Sequence, residues 1–252
     1  MSTTTTTTTT TPTPTLPLFY KKVVPLNKEQ HGDLYIEPMD GYQHTRETNS
    51  LYIAAIEFPN VAREYPIVFG TGADENIFPV VLLGLRKNEN LYVNDKGEWQ
   101  ADYVPAYVRR YPFILASTEV NGGNFTVCID ESFPGFNTAK EGQPLFNEAG
   151  EQTALLTQSV DFLKDYQNHV QLTTLFCDNL KKLDLLEPMQ ANIELKGGEK
   201  QTMGGFLGVN RERVKGLKPA KLAELVKSDQ LELIYAHLSS LANLRALMNR
   251  MN

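Results

Sequence analysis

The chain has 252 residues, 41% of them hydrophobic and 21% charged, with a formal net charge of -6. That apolar content excludes a chain disordered throughout. The acidic balance, with a pI of about 5.3 and no dense Lys/Arg run, argues against a general nucleic-acid binder, which needs a basic surface to neutralise phosphates.

The N-terminus is a Thr/Pro tract, unbroken threonine from Thr3 to Thr11 and then alternating proline. It offers nothing to pack, and its prolines deny helix and ladder bonds, so residues 1–17 are expected to form a disordered tail. It has neither a basic n-region nor an apolar h-region, so the expected location is cytoplasmic. The longest apolar run, Phe78 to Leu85, is far below the roughly 20 residues of a spanning helix.

Order should begin near Leu18. A β-rich part is expected over residues 18–151. FYKKVVPLN reads as extended. In HGDLYIEP, Leu34 and Ile36 alternate with Tyr35 and Glu37 as in a half-buried strand. SLYIAAIEF fits helix and strand equally.

Two segments then resemble each other: FPNVAREYPIVF from Phe58 and VPAYVRRYPFIL from Val104. Pro59, Arg63, Tyr65 and Pro66 align with Pro105, Arg109, Tyr111 and Pro112. A proline suits the first turn of a helix, and a residue before proline is driven out of the α region. Each segment therefore predicts a short helix, a sharp stop and a buried strand. Each is followed by a Gly-rich turn and a second strand, PVVLLGL or FTVCIDE. Further on, LYVNDKGEW and LFNEAGEQ share an Asn-acid-Gly-Glu turn pattern. The preserved order predicts two duplicated α-β-β units.

A helical part is expected over residues 152–252. Leu156, Val160, Leu163, Val170, Leu180 and Leu183 recur at helical spacing, with Thr153 as N-cap and Glu187-Pro188 as the stop. ANIELKGGEKQTMGGFLGVN predicts a hairpin turning at Gly197-Gly198, with arms from Asn192 to Lys196 and from Gln201 to Val209. Two last helices are expected, broken at Ser228-Asp229. The fold class is thus α+β: a β-rich N-terminal part with two duplicated α-β-β units, packed with a helical C-terminal part that contains one β-hairpin.

No catalytic residue stands out. GTGADEN lacks dinucleotide-loop spacing, no phosphate-loop lysine exists, and no GxSxG occurs, so no cofactor is implied. The acidic pair Asp130-Glu131 reads as turn-flanking. The sharpest chemical pattern is His31-Gly32-Asp33 with a distant His237, two imidazoles and a carboxylate as in a non-haem iron site. The structural alternative is a strand cap plus a packed histidine. Arg63 and Arg109, with Tyr65 and Tyr111 as neighbouring walls, have two readings. They tie down helix ends, or their guanidinium forks hold a carboxylate or phosphate. Arg110 has no counterpart, since the first copy has Glu64. The expected partner is a small anion or a protein. Cys128 and Cys177 fit no metal knuckle and read as buried thiols, with a single disulfide as the alternative.

The segments EFPNVAREYPIVF, YVPAYVRRYPF, CIDESFPGF, LDLLEPM and LELIYAHLSSL together resemble the SapC family of bacterial proteins, from about Leu18 to Met248. The resemblance implies association with the surface layer of bacterial cells, and hence a cell-surface setting. It carries over no catalytic residue and no ligand. It is not to the peptide-transporter permease of the same short name, which spans the membrane several times. The sequence thus points to a soluble binding or accessory protein without enzymatic activity. A metal- or anion-dependent enzyme and a self-assembling structural subunit are the alternatives.

Overall fold

The computed structural model describes residues 16–117, 125–194 and 200–251. The threonine run, the NGGN turn and the Gly197-Gly198 turn lie outside the described residues. The chain opens with β1 (Val23–Pro25), α1 (Lys28–His31), β2 (Tyr35–Ile36) and, after a 3-10 turn at Gln43–Thr45, β3 (Ser50–Tyr52). The first repeated segment then gives α2 (Phe58–Val61), β4 (Ile67–Thr71) and β5 (Ile77–Leu82), and the second gives α3 (Ala106–Arg109), β6 (Phe113–Ser117) and β7 (Phe125–Asp130). Short strands β8 (Phe136–Asn137) and β9 (Gln143–Pro144) precede the long helix α4 (Ala154–Lys182). The hairpin β10 (Leu186–Glu194) and β11 (Lys200–Val209) follows, then α5 (Arg211–Lys215), α6 (Pro219–Lys227), α7 (Gln230–Ser240) and α8 (Asn243–Arg250).

Both repeated segments take the predicted local form. In the first, Pro59 sits in the opening turn of α2, and β4 pairs antiparallel with β5, Ile67 opposite Val81. In the second, Pro105 caps α3, and β6 pairs antiparallel with β7, Phe113 opposite Ile129. The Asn-Gly-Glu turns match as well. Asn94 and Asn147 each accept a bond from the N–H of the glutamate four residues on, at 2.9 Å in both. The two hairpins join different sheets. The first is central in the order β10-β11-β4-β5-β3, and the second lies in β1-β7-β6. β2 pairs between β8 and β9 in a third, small sheet.

The long helix braces both. Thr153 caps it, as predicted. At about 1.5 Å per residue it spans about 43 Å. Its N-terminal half buries Leu156, Val160 and Leu163 against Phe113 and Ile129 of the second hairpin. Its C-terminal half buries Phe176, Cys177 and Leu180 against Ile67, Phe69 and Val81 of the first, where Ile234 and Leu247 of the last helices close the core. Each fully buried Leu, Ile or Phe contributes about 1.5–3 kcal/mol to holding these layers together. Cys128 and Cys177 are buried free thiols in different core clusters.

Two boundaries differ from expectation. Helix α4 ends at Lys182, and Glu187-Pro188 belongs to strand β10 instead of stopping the helix. Strand β10 is at a sheet edge, where proline's missing N–H is tolerated. The last helical stretch breaks between Ser240 and Asn243. Ser240 Oγ there accepts from Ile67 N–H at 2.9 Å, and Asn243 Nδ2 donates to Ala62 O at 2.8 Å. The ambiguous SLYIAAIEF is a strand followed by a 3-10 turn.

One buried carboxylate joins the two repeated segments. Glu57, 3% exposed, precedes α2. Its Oε2 accepts from Ala54 N–H at 2.9 Å, and its Oε1 from Ala106 N–H at 2.7 Å and from the Tyr103 hydroxyl at 3.0 Å. It thereby binds the first N–H of α3. Burial pushes its carboxyl above the ordinary range, and these three bonds oppose the rise.

Candidate functional site

The second Arg-Tyr-Pro corner opens onto a cavity of about 820 Å³, lined by Arg109, Tyr111 and Pro112 on one side and by Tyr42, His44 and Glu37 on another. That volume lies in the range of small-molecule sites. Helix α3 places Arg109 at its last position, and the chain turns at Tyr111-Pro112 into β6. The facing wall depends on Gly41, whose φ of +83 puts Tyr42 N–H 2.7 Å from Gly97 O. A Cβ at Gly41 would sit 2.6 Å from that oxygen, so only glycine lets this loop rest on the Asn94–Glu98 turn. Asn90 Nδ2 holds Thr45 O at 3.2 Å from behind.

His44 lies stacked on Tyr111 and receives the edge of Phe19. Its two ring nitrogens are buried with no hydrogen-bond partner among the described residues. Burial pushes its pKa down to about 4, so the ring is neutral near pH 7 and offers one donor and one acceptor. Tyr111 is pushed up to about 12, by burial first and then by the nearby Asp130. Asp130 itself is fully buried. Burial would raise its pKa, but bonds from the Ser132 hydroxyl, from Lys21 and Lys22 N–H, and from Ser132 N–H hold it below the ordinary value. This carboxylate is structural. Glu131 beside it pairs with Lys22 at 2.6 Å.

Arg109 is exposed on the cavity. Its Nε donates to Val104 O at 3.0 Å and its Nη2 to the Tyr103 hydroxyl at 3.3 Å, and its guanidinium lies 5.2 Å from the centre of the Phe162 ring. It makes no ion pair with a described residue. Through Tyr103 it reaches Glu57, so the buried carboxylate orients the arginine without neutralising it by contact.

The corresponding corner of the first segment is built differently. Tyr65 is fully buried; its hydroxyl donates to Tyr103 O at 2.5 Å and accepts from Trp99 Nε1 at 2.8 Å. Arg63 is exposed at the end of α2, with no side-chain bond to a described residue, and does not line the cavity. Of the four predicted binding residues, the structure brings Arg109 and Tyr111 together on one cavity and sets Arg63 and Tyr65 apart from it.

The metal triad is not assembled. His237 is fully buried in α7, where Nε2 accepts from Val209 N–H at 3.0 Å and Nδ1 bonds Ile67 O at 2.9 Å. His31 is buried at the end of α1, with Nδ1 3.1 Å from both Asn27 N and Asn27 O and Nε2 3.4 Å from Glu131 Oε1. Asp33 is exposed. Among the described residues, no group of three His, Cys, Asp or Glu is placed to hold a metal ion. The pattern that looked like ligand spacing is two unrelated packed histidines and a surface acid.

His44 and Glu57 are residues of the candidate site that the sequence did not single out, and Arg110 stood out in it only as lacking a counterpart in the first segment.

The fold and site define an α+β protein, with two hairpin units braced by one helix and a half-open aromatic cavity bearing an arginine. The chain belongs to the SapC family, whose model matches residues 26–247. No curated protein and no solved structure matches it. No helix among the described residues is long and apolar enough to cross a membrane.

Proposed function

We propose that the chain is a soluble, non-enzymatic binding or accessory protein of the SapC type. Its ligand is a small organic anion, seated with its charge on Arg109 and its apolar body against Tyr111 and His44. One observation carries this reading: the Arg109 guanidinium, with no ion pair among the described residues, faces a cavity of about 820 Å³ that is also lined by a neutral imidazole with no hydrogen-bond partner among them. A carboxylate or phosphate is the complement of that fork. The lining favours binding over catalysis, because the Ser159 hydroxyl donates to Leu155 O at 2.9 Å and His44 bonds no hydroxyl among the described residues. The two helix–strand–strand units are read as copies of one unit, the first absorbed into the core and the second opened as a binding wall. The family membership supports reading this binding as one associated with the bacterial surface layer.

Native mass spectrometry of the protein purified from cells that express it naturally tests the reading. A retained small molecule, absent from Arg109→Gln, is expected. A bare mass in both, with no thermal shift across a panel of aryl and alkyl carboxylates and phosphates, would overturn it. Co-sedimentation with isolated surface layers tests the setting, and recovery wholly in the cell-free soluble fraction contradicts it.

A further inference from the structure

The cavity does not end at Arg109. A side cleft of about 270 Å³ shares Arg109, Phe113, Leu155 and Ser159 with it and adds Arg110 and Gln158. Arg110 is held in an unusual way. Its guanidinium lies 3.9 Å from the centre of the Tyr107 ring, 5.3 Å from Tyr166 and 5.7 Å from Tyr20. It makes no hydrogen bond or ion pair with a described residue, and its Nε is buried without a partner. The Tyr166 hydroxyl beside it is buried and unpartnered as well.

Tyrosine faces steady a cation but leave its charge and its N–H groups unspent. Two consecutive arginines, neither paired with a carboxylate among the described residues, therefore line one small cleft. The carboxylate linked to them is Glu57, which reaches Arg109 only through the Tyr103 hydroxyl. In the first repeated segment the matching position is Glu64, which accepts from Asp102 and Tyr103 N–H at 2.9 and 3.0 Å. The second segment thus carries a cation where the first carries an anion bound to backbone.

We propose that the cleft between Arg109 and Arg110 is a subsite for a phosphate-class dianion, so that the ligand of the main cavity is a phosphorylated or phosphonate-bearing organic molecule. This rests on the anion-binding reading above and narrows it. A single carboxylate satisfies one guanidinium fork. A phosphate, with three acceptor oxygens and nearly two charges, spans two.

Calorimetric titration of the full chain with phenyl phosphate, benzoate and inorganic phosphate, at about pH 8 where the phosphates are dianions, tests it. Phenyl phosphate is expected to bind at least about tenfold more tightly than benzoate, the equivalent of about 1.4 kcal/mol. Arg110→Gln should abolish that advantage while leaving benzoate within about twofold. Arg110→Lys, which keeps the charge but loses the fork, should retain part of it, and it serves if the Gln variant does not fold. Equal binding of the two aryl anions, unchanged by either variant, overturns the dianion subsite and leaves the organic-anion reading intact. No binding of any probe overturns both.

Discussion

His44 lies face to face with Tyr111, ring centroids 4.9 Å apart and planes inclined by 21°. The contact joins the loop that precedes the first repeated segment to the corner of the second, and it forms the flat wall of the cavity. Such a pair contributes about 0.5–1.5 kcal/mol beyond its buried area. Replacing Tyr111 by Ala, which removes the stacked wall, should therefore weaken binding of an aryl anion by about three- to tenfold. Tyr111→Phe should leave it within about twofold, because the hydroxyl makes only a long 3.5 Å contact with Asp130. Calorimetry on the two variants checks this, and an equal loss in both would contradict a stacking role.

Acid should destabilise the fold through its buried imidazoles. His44 and His237 both fall from the ordinary 6.5 to about 4 because burial disfavours the cation. With folded values below unfolded ones, the unfolded chain takes up protons first. The stability these groups supply is full above about pH 6.5 and is lost as pH falls towards 4. For the fully buried His237 the displacement corresponds to about 3 kcal/mol. The partly exposed His44 contributes less. Glu57 acts in the opposite sense, since its raised carboxyl gains protons on folding. Urea unfolding between about pH 7.5 and 4.5 should show falling stability, with a shallower fall in His44→Leu. An unaltered slope in that variant would contradict the buried neutral ring.

Tyr65 and Tyr111 align in sequence but should respond differently to loss of the hydroxyl. Tyr65→Phe orphans Trp99 Nε1 and Tyr103 O, and should cost about 1–3 kcal/mol with no change in anion affinity. Tyr111→Phe should cost under about 0.5 kcal/mol. Denaturant midpoints of the two variants make the comparison, and equal costs would contradict the division of roles.

Glu57→Ala leaves Ala54 N–H, Ala106 N–H and the Tyr103 hydroxyl without their acceptor. A loss of about 2–4 kcal/mol is expected from the buried donors. Anion binding should weaken as well, because Tyr103 and α3 both position Arg109. Glu57→Gln, which keeps one acceptor oxygen, should fall between. A variant as stable as the parent would show that the junction is not held by this side chain.

Much of the architecture was legible because local rules agreed with tertiary need. Pro59 and Pro105 open short helices, the residues before Pro66 and Pro112 end them, and Thr153 starts the long helix. The failures fall where packing overrode local preference. Pro188 signalled a helix stop but occupies an edge strand, and Ser240 and Asn243 broke a helix to serve the backbone of the first hairpin. The site was half legible. The repeat drew attention to Arg109 and Tyr111, but no periodicity distinguishes them from Arg63 and Tyr65, whose setting depends on Trp99 folding over the first corner. His31 and His237 seemed a ligand pair because spacing along a chain says nothing about which backbone groups claim each ring. His44 gave no signal, since its wall exists only once Gly41 meets Gly97.

The central claim is that the second repeated corner, and not the first, holds an organic anion. Calorimetric titration of benzoate into the parent chain, Arg109→Gln and Arg63→Gln tests it most directly. The structure predicts an affinity loss of about tenfold or more for Arg109→Gln and a change within about twofold for Arg63→Gln. Equal affinities in all three, or a loss confined to Arg63→Gln, would contradict it.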